Sequence, residues 1–175
     1  MLTAQTQAQE LKDFPDYYRE DFARLIRFLI TQGASLAEAE DVAQETMKAA
    51  LLVWPTIDHP QAWTRLVARR TLWRGRRQSL RERELMLRHG RLDEVTEAIF
   101  DTEVCHVLQL LNRLPVEQRD VMAWTIDGYT PNEIASRTGQ KPATVRSHLR
   151  YARRQLIRRL GQSSPTARKE ASDGP

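Results

Sequence analysis

The chain has 175 residues with 27 Lys+Arg against 23 Asp+Glu, a formal charge of only +4. A single cysteine, Cys105, excludes an internally disulfide-stapled scaffold, and no stretch approaches the roughly 18 apolar residues of a membrane span. The charge is unevenly spread: net −5 over residues 1–60, +8 over 61–91, −6 over 92–140 and +7 over 141–175. That alternation suits a polyanionic partner met at two places. Of the basic residues, 23 are Arg, whose planar fork suits phosphate and base edges; an Arg-favouring codon usage accounts for the total equally well.

In chain order, the N-terminus lacks a basic region followed by an apolar core, so no signal peptide is expected and the cytoplasm is the default. Tyr18, Phe22, Leu25, Ile26 and Leu29 repeat at helical spacing, which predicts a helix from about Asp16 to Gln32 with Pro15 in its first turn and Gly33 as its stop. Ser35 to Glu38 reads as a capping box opening a second helix that runs to Trp54. After a loop ending at Pro60, a third helix spans Gln61 to about Arg77, with Ala62, Trp63, Leu66 and Val67 turned inward. Residues 14–77 therefore read as one small helical domain. Residues 78–100 mix Arg, Glu and Leu without a clean apolar stripe and read as a partly helical linker. A second domain, residues 101–160, begins with a helix carrying Val104, Leu108, Leu111 and Leu114, followed by one from Val116 to Asp127 closed by Gly128. Thr130 to Glu133 forms another capping box, with Pro131 at the first helical position. A short helix to Arg137, a turn at Gly139 and a last helix from Pro142 to Leu160 follow. The tail, 161–175, has the Ser, Pro, Thr and Gly content of a disordered segment. The expected fold class is all-α: two small helical domains joined by a linker.

The sharpest local signal lies in the second domain. A helix-turn-helix needs a small residue at the helix crossing, a turn residue tolerant of a left-handed backbone, and an apolar lock on the second helix. Ala135, Gly139 and Val145 have that spacing. The second helix then carries Lys141, Thr144, Arg146, Ser147, Arg150, Arg153 and Arg154, suited to phosphates and base edges in a major groove. The other basic block places Arg65, Arg69, Arg70, Arg74 and Arg77 beside Trp63 and Trp73. Arginine interleaved with aromatic rings suits single-stranded nucleic acid, although core packing serves Trp63 as well. No Gly-rich phosphate loop or nucleophile–base constellation is visible. Cys105 and His106 leave a helix in different directions and make a poor metal pair, so no catalytic centre, cofactor or metal is expected.

Two segments belong together. The first runs from Ala39-Glu40-Asp41-Val42-Ala43-Gln44-Glu45-Thr46 to Trp54 and on to Ala62-Trp63 and Val67-Ala68-Arg69. The second comprises Leu114-Pro115, Gln118-Arg119, Val121-Met122, Glu133-Ile134-Ala135, Ala143 to Ser147 and Ala152-Arg153. As a pair they resemble bacterial RNA polymerase sigma factors of the extracytoplasmic-function (ECF) subfamily. The resemblance implies sigma domain 2 over 14–77 and sigma domain 4 over 101–160. It implies a transcription initiation factor that binds core RNA polymerase through the β′ clamp helices and the β flap and directs it to promoter DNA. Asp41, Gln44, Glu45 and Lys48 would meet the polymerase. His59, Trp63, Arg65, Arg69, Arg70, Trp73, Arg74 and Arg77 would hold the melted −10 strand, with one base turned out of the stack. Lys141, Thr144, Arg146, Ser147, Arg150, Arg153 and Arg154 would read the −35 duplex. An anti-sigma factor is the expected regulatory partner. Arg70 stands where the family usually has Asn, Arg74 where it often has Asp, His148 and Tyr151 at two usual Arg positions, and Thr64 at a usual apolar one, so promoter preference does not transfer. The acidic blocks lying between basic ones suggest that the free protein screens its DNA surfaces by folding its domains together. The competing readings are a dimeric helix-turn-helix regulator of duplex DNA and a protein-binding sigma mimic.

Overall fold

The computed structural model describes residues 4–83 and 102–162, and all secondary structure there is helical. The elements are α1 (Ala4–Thr31), α2 (Leu36–Val53), a 3-10 turn (Trp54–Thr56), α3 (Pro60–Arg83), α4 (Thr102–Asn112), α5 (Val116–Ile126), α6 (Pro131–Thr138) and α7 (Pro142–Gln162). Most of the expected linker, 84–100, and most of the expected tail, 163–175, lie outside the described residues.

The helix α1 begins earlier than the periodicity suggests, so Pro15 sits inside it rather than in its first turn. Its inner face buries Leu25, Phe28, Leu29 and Ile30. Gly33 ends it with φ of 88°, which a side chain disfavours, while the Gly33 and Ala34 amides donate to the carbonyls of Ile30 and Leu29. Both expected capping boxes form. Ser35 Oγ accepts from the Glu38 amide at 3.2 Å and Glu38 Oε2 accepts from the Ser35 amide at 3.1 Å; Thr130 and Glu133 repeat the exchange at the start of α6. The inner face of α2 is built from small groups, Ala39, Ala43, Thr46 and Ala50, with Met47, so α1 packs closely against it. At its far end Trp54 sits edge-on to Phe14, ring centroids 5.1 Å apart.

The helix α3 extends beyond Arg77 to Arg83 and is rotated from the expected orientation. Ala62, Thr64, Arg65, Ala68 and Leu72 are buried, whereas Trp63, Leu66 and Val67 are half-buried. The cause is a second packing partner: α3 lies against α1 and α2 and also faces the C-terminal helices. In the C-terminal unit, Ala135 and Val145 are buried and Gly139 adopts φ of 71°, the three helix-turn-helix roles expected of them. On α4 the buried residues are Cys105, Leu108, Leu110 and Leu111, while Val104 is exposed. The apolar core does not stop at the unit boundary. Trp124 of α5, with no exposed surface, stands edge-on to Phe28 of α1 at 5.3 Å and to Tyr129 at 4.9 Å, joining the two units into one hydrophobic cluster. An interface centred on a fully buried aromatic pair excludes water well enough to strengthen the charges beside it.

Candidate nucleic-acid and polymerase interfaces

Three surfaces carry the residues singled out in the sequence. On α2, Asp41, Gln44, Glu45 and Lys48 are all exposed and, at spacings of three and four, lie along one outward strip. Leu51, Leu52 and Val53 continue α2 with exposed apolar groups, Leu52 at 84% exposure. The strip thus joins acidic edge to apolar tip, a composition suited to a partner with basic and apolar contacts.

The second surface is on α7. Lys141, Thr144, Arg146, Arg150, Arg153 and Arg154 are exposed and Ser147 is half-buried. Pro131, Arg146, Leu149, Arg150, Arg153, Arg154 and Ile157 line a shallow groove beside α6. Arg146 reaches Asn132 Oδ1 at 3.4 Å, and the Arg150 guanidinium lies 5.1 Å from the Tyr151 ring. Tyr151, at a usual Arg position of the resembled family, is 48% exposed and so adds an aromatic face to this surface. His148, at the other such position, is half-buried.

The basic block on α3 is divided. His59, Arg70 and Arg74 are exposed, Trp63 packs partly against the core, and Trp73 is half-buried with its indole nitrogen lacking a hydrogen-bond partner. The side chain of Arg77 lies outside the described residues. Arg65 is the exception among the expected contacts: its side chain has no exposed surface. Its guanidinium forks onto Asp21 of α1, with Nη2 donating to Oδ1 at 2.9 Å and Nη1 to Oδ2, and onto Asp127 after α5, with Nε donating to Oδ2 at 2.8 Å. These charged acceptors and the hydrogen bonds from Arg65 hold its proton more tightly than usual, against the burial that would release it. One turn along α3, Arg69 donates to Asp120 of α5 at 2.9 Å and pairs with it at 2.8 Å. Burial raises the Asp120 carboxyl above the ordinary carboxylate range, and Arg69 pulls it back down.

Thr64, which replaces an apolar residue of the resembled family, is also fully buried. Its hydroxyl donates to the Gln61 carbonyl at 3.0 Å and lies 2.9 Å from the Tyr17 hydroxyl, which donates to Asp21 at 2.7 Å. Burial and the Asp21 carboxylate push the Tyr17 phenol well above its usual range. Sequence reasoning missed the acceptors Asp21, Asp120 and Asp127. Their signal was present only as spacing: Arg65 and Arg69 four apart, Asp120 and Asp127 seven apart, each pair confined to one helix face.

A groove also opens between the units, lined by Arg27, Ile30, Thr31, Val107, Leu111 and Ile126 among others. Among the described residues no His/Cys/Asp/Glu cluster suited to a metal occurs, and no helix is long and apolar enough to cross a membrane.

Residues 107–156, spanning most of α4 through most of α7, match the protein family described as Sigma-70, region 4. The C-terminal unit is thus similar to sigma-70 region 4. Among solved structures, the chain is similar to the sigma factor RpoE from Bartonella quintana, solved with the anti-sigma factor NepR. The TM-score is 0.74 at 20% identity, covering 87% of this chain and 99% of that one. It is also similar to CnrH, solved with the cytosolic domain of CnrY: TM-score 0.65, 21% identity, covering 90% of this chain and 96% of that one. No curated protein matches the chain. The fold shared with these structures therefore extends beyond residues 107–156 into the N-terminal helices, which carry the α2 strip and the α3 arginines.

Proposed function

We propose that this chain is an alternative sigma factor of the ECF type, acting in the cytoplasm without a catalytic step of its own. The observation that carries the reading is a region 4 match over 107–156 inside a chain that shares the RpoE fold over 87% of its length. In this reading the exposed strip Asp41, Gln44, Glu45 and Lys48 docks on the β′ clamp helices of core polymerase, and the C-terminal unit meets the β flap. The α7 arginines read the −35 duplex, their forked guanidiniums suiting guanine edges and phosphates. The α3 block, with Arg70 and Arg74 already exposed, holds the opened −10 strand by phosphate contacts and stacking. Residues 14–77 and 101–160 are the two working domains. The partners of the solved relatives, NepR and CnrY, support an anti-sigma factor as regulator, and the apolar groove between the units offers it a surface.

The energetic logic is positional. The chain lends polymerase two DNA-reading surfaces and stabilises the open strand by binding it, with no nucleotide hydrolysis. Run-off transcription with core polymerase tests the reading. Promoter-dependent initiation that requires the chain, and is weakened by charge reversal at Asp41 or Glu45, is expected. Duplex binding as a dimer on a palindrome, with no effect on core polymerase, would overturn it in favour of a conventional helix-turn-helix regulator.

A further inference from the structure

The exposed surfaces are accounted for by the proposed reading, but a network of five charges at the seam, of which Asp21, Arg65 and Asp120 are buried and Arg69 and Asp127 half-buried, is not. Arg65 and Arg69 lie one turn apart on α3, and Asp120 and Asp127 lie two turns apart along α5 and its end. The pairing runs antiparallel, the earlier arginine meeting the later carboxylate. Asp127 grips Arg65, Asp120 grips Arg69, and Asp21 backs Arg65 from α1. Two carboxylates from the sigma-70 region 4 unit thus occupy the positions at which phosphate oxygens would meet these guanidiniums, since both offer paired anionic oxygens to an arginine fork. The neighbouring contacts close the same seam. Trp124 covers Phe28, Arg65 itself lies 5.8 Å from the Phe28 ring, and the Arg119 side chain approaches Gly33 to within contact of where a Cβ would stand.

We propose that this network is an autoinhibitory clasp: Asp120 and Asp127 act as built-in phosphate mimics that hold the C-terminal unit on α3 and withhold Arg65 and Arg69 from single-stranded DNA until the units separate. The proposal deepens the sigma-factor reading and rests on it for the identity of the displaced ligand. The clasp is intramolecular, so a DNA strand competes against a high effective concentration of carboxylate. Docking on a larger partner that needs the two units apart opens it and delivers two extra cations to the strand. Of the α3 arginines expected to hold the strand, Arg70 and Arg74 stay exposed in the closed form and leave it only weak strand binding at this surface.

The test uses the full chain with Asp120→Asn and Asp127→Asn combined, which keeps side-chain volume and removes both charges. Binding is read with a fluorescent mixed-sequence DNA strand of about 20 nucleotides, longer than a single binding groove needs. Small-angle X-ray scattering reads compactness, against a radius of about 16 Å for a single compact body of this length. The double variant is expected to bind the strand about tenfold tighter, equivalent to about 1.4 kcal/mol, and to have a larger radius of gyration. Should the double variant fail to fold by circular dichroism, Asp127→Asn alone carries the same prediction at about threefold, because Asp127 lies at the more open edge of the network, 12% exposed. Unchanged strand affinity with an unchanged radius overturns the clasp while leaving run-off transcription, and so the sigma reading, intact. A larger radius without tighter binding also overturns it. Failure of run-off by wild type and variant alike overturns the sigma reading, whereas the scattering and strand-binding changes still decide the clasp.

Discussion

Replacing Arg65 by Met tests whether the seam between the units is held by charge or only by packing. Arg65 has no exposed surface, and its guanidinium satisfies Asp21, only 6% exposed, and Asp127, 12% exposed. Met fills much of the stem volume but leaves two largely desolvated carboxylates facing an apolar group. Breaking a buried pair by removing one partner costs about 3–5 kcal/mol, far above the ~0–1 kcal/mol of an exposed pair. With a urea slope of about 2 kcal/mol/M, a loss of 4 kcal/mol lowers the unfolding midpoint by about 2 M. The assay is urea unfolding followed by far-UV circular dichroism and by tryptophan fluorescence, Trp124 being at the seam. Neutralising the acids as well, in Arg65→Met with Asp21→Asn and Asp127→Asn, restores much of the loss, because no charge is then left buried. A decrease below about 1 kcal/mol for Arg65→Met would refute the buried network, since that is the size of a solvated surface pair.

Three further outcomes are expected. Gly33→Ala costs about 1–2 kcal/mol in thermal unfolding, since φ is 88° there and the new Cβ would stand 2.8 Å from Asn112 Oδ1 and 3.0 Å from the Arg119 guanidinium; an unchanged melting temperature would mean that the C-terminal unit does not press on this turn. Glu133 is held below the ordinary carboxylate range by the Thr130 hydroxyl and amide, so its contribution is complete above its unfolded pKa and is lost as pH falls through the lower folded value. The stability gap between wild type and Glu133→Gln should therefore close below roughly pH 4, as chemical unfolding across pH would show. Arg150→Ala, at an exposed site on α7, weakens binding to a cognate duplex by about 1–3 kcal/mol if it reads a base edge, and lowers the salt slope by about one if it meets phosphate. Titration at several salt concentrations separates the two, and no change in either quantity removes Arg150 from the interface.

Local chemistry made much of this protein legible in its sequence. The capping boxes at Ser35 and Thr130, the stops at Gly33, Gly128 and Gly139, the small crossing residue Ala135 and the apolar lock Val145 depend on neighbours within a turn or two, so residue order alone determines them. The exposed row on α7 followed from helical spacing for the same reason, and that on α2 from the family resemblance. Only the tertiary structure decided the fate of the basic block on α3. Arg65 and Arg70 are five residues apart and equally charged, yet one is wholly buried and the other exposed. Helical periodicity assigned the inner face of α3 to Trp63, Leu66 and Val67, whereas the second unit, docking through Trp124, turned the Arg65 side inward. The partners that made this possible lie 44 and 62 positions away, at Asp21 and Asp127. Burial of a charge depends on where its counter-charges arrive after folding, and helical spacing carries no record of that distance. The alternating charge blocks indicated that acidic and basic segments would meet; the packing of α5 on α1 and of α6 on α3 selected which carboxylates meet which arginines.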